Sequence, residues 1–391
     1  MIKRRRIIVM GIMGRTPVAG VAWQLLHYLA GLHRLGHDVY YVEDTLAWPY
    51  NPETNTDDCN YTVNYINRLM TWSGLGGRWA FADVSQGNRV YGLSEFQLAQ
   101  VFERADALIN VTGSTELREK HLRVPVRIYL ETDPGAPQIR IAQGDRYTID
   151  FLNAHTHHFT YGENIGKPGC SLPADGYDYQ PTRQPIVLDW WQTNGASNQK
   201  AEMDSARFTT ISTWQQSNDV TWNGETYTWS KDRQFLRFID LPERSGQAFE
   251  LALACSDQNA LSLLKSHGWR VFDALPLTKD ILPYRDYIAN SRGEFTVAKE
   301  QYFRLGTGWF SDRSASYLAA GRPVITQETG FSRFLPSGKG LFGFTTIEDI
   351  LTAVEKIASD YEGNCRAARE IATEYFAAEK ILQDMLKRAD L

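Results

Sequence analysis

The arrangement that most restricts the fold lies at the start of the chain. Residues 6–12, RIIVMGI, form a near-continuous apolar run, as in a strand buried on both faces. Gly14-Arg15-Thr16-Pro17 interrupts the run. Val21, Leu25, Leu29, Leu32 and Leu35 then recur at helical spacing, and Gly36 supplies a stop. Asp38-Val39-Tyr40-Tyr41-Val42 reads as a second strand. Strand, loop, helix and strand in so short a span make a βαβ unit, whose crossover requires a parallel sheet. The pattern returns with ALINV (107–111) and VRIYLETDP (126–134), predicting an α/β domain over residues 1–175.

Residues 170–184 are rich in Pro, Gly and Tyr and read as a linker. Alternation resumes at Arg207. FTTIST, FELALAC, WRVFDAL, GEFTVAK and PVITQ read as strands, with helical stretches such as DRQFLRFIDL, QNALSLLKSHG and DILPYRDYIANS between them. This predicts a second α/β domain over 176–364. A long helix from about 366 to 388 closes the chain, so that 365–391 forms a segment returning toward the first domain. A length of 391 residues exceeds one typical core and agrees with two domains. The expected fold is therefore α/β, with two Rossmann-like, doubly wound parallel sheets facing a cleft. In such sheets ligands sit at the carboxyl ends of the strands.

Composition narrows the function. With 43% hydrophobic and 22% charged residues the chain reads as an ordinary soluble globular protein. The net charge of −5 gives no reason to expect a nucleic-acid surface. MIKRRR resembles the basic start of a signal peptide, but the apolar run behind it is short and broken, so a buried strand is the better reading. No run reaches the length of a membrane span. Four scattered cysteines without CxxC spacing suit a reducing compartment, hence a cytoplasmic location. Trp190, Trp191, Trp214, Trp222, Tyr227 and Trp229 cluster along the sequence, either as packing or as a surface that stacks bases or sugars.

The stretch 308–331, GWFSDRSASYLAAGRPVITQETGF, carries the most chemistry. Ser311 is a suitable N-cap, Asp312 and Arg313 fall in the first helical turn, and the amides of residues 312–314 face whatever lies before the helix. Ser311, Asp312, Arg313 and Ser314 thus suit an anion, a diphosphate above all, with Arg313 adding a charge-assisted contact. Gly306 and Gly308 would let backbone approach a ligand closely.

LAAGRPVI, a polar loop, and LPSGKGLFGFTTIEDILTAV resemble, in order and spacing, the carboxyl-terminal domain of GT-B glycosyltransferases of the bacterial family 1 and family 4 type. The front end, with its βα loop, helix and HRLGHDVYYVED, is similar to their first unit. The resemblance implies a hexosyltransferase-like enzyme that binds a nucleotide-sugar donor, a UDP- or dTDP-sugar, in the second domain and a hydroxyl acceptor in the first. It implies neither a metal nor a further cofactor. It also assigns donor contacts to Ser212, Thr213 and Trp214 after the first strand of the second domain, and to Glu328 and Thr329 on the donor sugar. Lys299 is a further candidate cation there, and Gly14 and Arg15 close the cleft from the first domain. The pattern is departed from at two places. Gly308 and Ser316 stand near the positions where many retaining members carry glutamates, and MGRTPVAG lacks the histidine of many inverting members, so the stereochemistry stays open.

Asp133, just past a strand end and before Pro134-Gly135, is the leading candidate base. His158, in the run His155-Thr156-His157-His158, is the second candidate catalytic group, and the run also admits a weaker metal reading. Two other functions fit the same architecture: a sugar-nucleotide epimerase and a non-catalytic nucleotide-sugar-binding protein. A dehydrogenase fits less well, because GIMGRTPVAG lacks G-x-G-x-x-G. The acceptor is unspecified, and a natural product, a lipid, a glycan or a nucleic-acid base all remain open.

Overall fold

The computed structural model describes residues 3–174, 176–192 and 207–391. The first sheet contains β1 (Arg6–Met10), β2 (Asp38–Glu43), β3 (Trp79–Asp83), β4 (Arg89–Gly92), β5 (Ala107–Val111), β6 (Val126–Glu131), β7 (His157–Thr160) and β8 (Tyr179–Pro181). Their order is β4-β3-β2-β1-β5-β6-β7-β8, parallel throughout except for β4. Alternating side chains of β1 feed two layers. Ile7 and Val9 pack with Leu25 and Leu29 of the helix Ala19–Arg34, while Ile8 and Met10 pack with Leu98, Val101 and Phe102 on the other face. Both faces are buried, which is why the strand reads as a continuous apolar run rather than an alternation. Each such side chain contributes about 1.5–3 kcal/mol by leaving water.

The second half begins with β9 (Arg207–Thr213). A small antiparallel hairpin follows, β10 (Val220–Trp222) and β11 (Glu225–Tyr227), then β12 (Ala248–Ala254), β13 (Arg270–Asp273), β14 (Gly293–Thr296), β15 (Val324–Gln327) and β16 (Leu341–Phe344). The larger strands form a parallel sheet in the order β13-β12-β9-β14-β15-β16. The chain therefore consists of two doubly wound parallel sheets.

Three details differ from the sequence reading. Residues 179–181, read as linker and placed beyond a boundary at 175, form the edge strand of the first sheet beside β7. The single closing helix is two, Tyr361–Tyr375 and Ala378–Arg388, so a boundary at 365 falls inside the first of them. The break has a partner. Ile186 donates its N–H to Phe376 O (2.7 Å) and accepts from Ala378 N (2.9 Å). Finally, β3, β4 and the helix Cys59–Trp72 lie where no pattern was assigned. The last helix places Leu382, Met385 and Leu386 in the same core as Leu25 and Leu29, so the chain ends against the first domain.

Candidate functional site

The two polar loops flagged by the sequence lie side by side at the carboxyl ends of β14 and β15. Gly308 N donates to Thr329 O (2.7 Å), and Thr329 Oγ1 donates to Trp309 O (2.5 Å). Thr329 is therefore spent on joining the loops and does not face a sugar with its hydroxyl. Glu328 is also engaged locally, accepting from Gly330 N (2.6 Å) and Ser332 N (3.4 Å). The glycines serve a purpose other than the expected one. Gly306 and Gly308 have φ of +62° and +76°, and a Cβ at these positions would strike Gly169 O and Asn164, both of the first domain. They admit the facing domain, not a ligand. Asn164 Nδ2 donates to Gly306 O (3.0 Å) and Gly330 O (3.3 Å), clamping both loops.

The helix Asp312–Ala319 starts where expected, with Ser311 extended at the N-cap position, but the Ser311 side chain makes no capping bond. The amides of its first turn are thus left to whatever lies in front of it. Ser314 is fully buried and its Oγ has no hydrogen-bond partner. Asp312 accepts from Gln24 Nε2 of the first domain (3.2 Å), and burial raises its carboxyl to about 7.

Arg313 differs from the expectation. Its Nε donates to Glu294 Oε1 (2.5 Å), Nη1 to Ile211 O (2.6 Å) and Nη2 to Thr296 Oγ1 (2.7 Å). Glu294 is entirely buried on β14, so this guanidinium satisfies an interior carboxylate and ties the helix to β9 and β14. The cation that sequence reasoning missed is Lys231, which immediately precedes the helix Asp232–Arg237. It is 8% exposed, and among the described residues no carboxylate lies within ion-pair distance of it. Burial first, then repulsion from Arg313 and Lys299, holds its ammonium well below the usual lysine range. Asn223-Gly224 in the VTWNGETY stretch signals the hairpin that separates Lys231 from β9, and reading it would have brought Lys231 to the sheet end.

Of the three residues after β9's core, Thr213 is exposed and Ser212 Oγ donates to Thr213 O (2.9 Å). Trp214 is buried against Phe235, with ring centroids 6.0 Å apart, and belongs to the core instead of the cleft. On the facing domain, Gly14 N and Arg15 N donate to Glu43 (2.6 and 2.7 Å), and the Arg15 side chain is exposed. Burial pushes the Glu43 carboxyl up to about 7 against these bonds.

Asp133 and Lys299 meet across the two domains at 3.5 Å, and Tyr302 Oη donates to the same carboxylate. Burial pushes Asp133 upward, but the Lys299 ammonium and the hydrogen bonds outweigh it and keep the group below the usual aspartate range. Its side chain is still 44% exposed. Lys299 also lies 3.4 Å from the Trp229 ring centroid. His158 is placed differently. Its Nε2 bonds Leu152 O (3.0 Å), and its ring packs among Tyr129, Tyr177 and Tyr179. The neighbouring histidines are bound separately, His155 to Asn110 and Phe151 O, His157 to Thr156, so the run forms no metal site. Among the described residues one group has converging ligand atoms, Asp240, Glu243 and His267, and it is largely exposed.

No family model matches the chain, and no curated protein matches it. Solved structures do. A glycosyltransferase from Rickettsia africae aligns over 99% of this chain and 98% of its own, at 12% identity and a TM-score of 0.56. An α-glucosyltransferase in complex with UDP and a 13-mer DNA containing a HMU base aligns over 100% of both chains, at 10% identity and a TM-score of 0.59. HepE of Anabaena in complex with UDP-glucose aligns over 99% and 100%, at 12% identity and a TM-score of 0.55. Across its whole length the chain has the GT-B glycosyltransferase fold. No helix of the described residues is long and apolar enough to cross a membrane.

Proposed function

We propose that the protein transfers a sugar from a nucleoside-diphosphate sugar to a hydroxyl acceptor without a metal ion. The observation that carries this reading is Lys231, a buried lysine without an acid partner among the described residues, close to Arg313, in the first turn of the helix Asp312–Ala319, and to Lys299. An uncompensated buried cation is costly, and a diphosphate would supply the missing charge. The solved structures of this fold that hold UDP or UDP-glucose support a uridine nucleotide as donor.

In the transfer, the bond between the anomeric carbon and the diphosphate oxygen breaks, and the acceptor oxygen bonds to that carbon. Lys231 and the first-turn amides stabilise the charge that develops on the leaving diphosphate. Asp133 takes the acceptor proton, for which it exchanges its tie to Lys299 and Tyr302 for the acceptor hydroxyl. Burial of the cations in a cleft between two domains strengthens each of these interactions relative to water.

The test is calorimetric titration with UDP, dTDP, GDP and ADP in metal-free buffer, followed by product analysis with the sugar nucleotide of whichever binds. Binding of one nucleotide with loss of the sugar to an acceptor or to water is the expected outcome. An isomerised donor would identify an epimerase, and binding without turnover a sensor. Failure of all four nucleotides to bind would end the transferase reading.

A further inference from the structure

Residues 215–230 form an insertion between β9 and the helix Asp232–Arg237, and its stem is pinched shut where Trp214 O accepts from Lys231 N and Asp232 N (3.3 and 3.2 Å). The inserted hairpin belongs to the second half of the chain but docks on the first. Val220 and Tyr227 share a small core with Ala136, Ile139 and Leu172. Gln143 Nε2 donates to Thr221 O (2.8 Å), and Arg140 Nη2 to Asn218 Oδ1 (2.7 Å).

Where the hairpin meets the carboxyl ends of β5 and β6, the two domains border a half-open pocket of about 170 Å³. Thr112, Tyr129, Asp133 and Arg140 wall it from the first domain, and Asn218 and Trp229 from the second. At about 30 Å³ per water this is room for some half-dozen waters, one small ring, and well below a drug-sized pocket. Thr112 adopts φ +60°, a strained conformation for a β-branched residue of the kind that collects at functional sites. Trp229 is held by the Lys299 ammonium at one side of its ring and by Tyr302 at its edge. It is a positioned aromatic wall, not a loose one. The carboxylate of Asp133 stands in the same pocket.

The lining is specific in chemistry as well as size. An aromatic ring with carboxylate, amide, hydroxyl and guanidinium groups around it matches a ring that is apolar on its faces and hydroxylated at its rim. Glu131, also at the wall, is filled by Gln138 Nε2 (2.8 Å to each oxygen) and Thr160 Oγ1 (2.6 Å), so it shapes the site instead of reaching into it. Lys299 is already engaged by Asp133 and Arg140 by Asn218, so the cations at this wall are occupied, which disfavours a phosphorylated or otherwise anionic guest. We infer that this pocket is the acceptor subsite, that it takes one neutral sugar ring, and that the inserted hairpin supplies its second wall. The inference rests on the transferase reading above.

The test separates the two. Protein labelled with 5-fluorotryptophan is followed by fluorine NMR, with the Trp229 signal assigned through Trp229→Phe. Methyl glycosides of glucose, galactose and mannose are titrated up to their solubility, with methyl glucuronide and glucose 6-phosphate as anionic probes and UDP in a separate titration. A saturable shift of the Trp229 signal is expected with at least one neutral glycoside and not with the anionic probes. In Asn218→Ala the affinity for that glycoside falls about tenfold, as for one lost hydrogen bond, while UDP affinity is unchanged. UDP binding with no neutral glycoside moving Trp229 overturns the inference and leaves the transferase reading intact. Preference for the anionic probes overturns the assigned class, and failure of UDP to bind overturns the reading beneath it.

Discussion

Replacing Lys231 by methionine separates what the residue does for a ligand from what it does for the fold. Lys231 is 8% exposed, no carboxylate among the described residues pairs with it, and methionine fills a similar volume without the charge. A charge-assisted contact to a phosphate oxygen contributes about 1.5–3 kcal/mol, so UDP affinity is expected to fall roughly ten- to hundredfold. Stability moves the other way. Burial lowers the native pKa of Lys231 relative to the unfolded chain, so the folded state binds fewer protons there between the two values. Stability of the unliganded protein therefore rises with pH through that interval, and Lys231→Met removes the slope. The variant's Tm at neutral pH stays level or increases. A bound diphosphate favours the charged form of Lys231, so UDP binding is expected to shift proton uptake upward in the wild type relative to the variant, read by calorimetry in buffers of different ionisation enthalpy. Wild-type UDP affinity in Lys231→Met, or a marked loss of Tm, would refute the reasoning.

Other outcomes follow from the same geometry. Arg313→Met strands Glu294 and is expected to cost about 3–5 kcal/mol in chemical denaturation. Adding Glu294→Gln recovers most of it, and a fully stable single variant with weak UDP binding would return Arg313 to the phosphate. Asp133→Asn is expected to abolish transfer while UDP affinity by calorimetry changes less than about threefold, a difference under 1 kcal/mol; an active variant removes Asp133 from the chemistry. Burial raises Asp312 to about 7, so its contribution to stability is full below the ordinary aspartate value and is lost as pH climbs through 7. If the diphosphate lies at this helix start, as proposed, the ionised form would repel it, and UDP-glucose affinity is expected to fall between pH 6 and pH 8. Asp312→Asn flattens that profile, and an unchanged slope would place the titration elsewhere.

The sheets were legible because β1, β5 and β12 are largely apolar runs bounded by turn residues, and period and punctuation suffice for those. The closing helix reads as one because nothing local marks a break at Phe376-Ala377. It is made by the backbone of Ile186, nearly two hundred residues earlier. The site was half legible. The loops at 306–311 and 328–331 and the helix after them stand at the sheet's carboxyl edge as the spacing implies, and Asp133 stands opposite. The partners of charged residues were not legible. Arg313, on its helix, belongs to Glu294, nineteen positions away on β14, and Lys231 is distinguished by having no such partner among the described residues, which only three-dimensional packing reveals. Trp214 read as a cleft residue because its loop position was right, whereas its side chain turns inward to Phe235.

Asn164 has a consequence for modularity. One amide group of the first domain holds Gly306 and Gly330 together, and the loop around it donates further backbone bonds to Thr307 and Leu305. The second half of this fold is accordingly not a portable cassette. Cut away from its companion, it would keep its sheet and lose the brace that sets the spacing of its two loops. Grafting it onto a different first domain would require carrying Asn164 and its loop along.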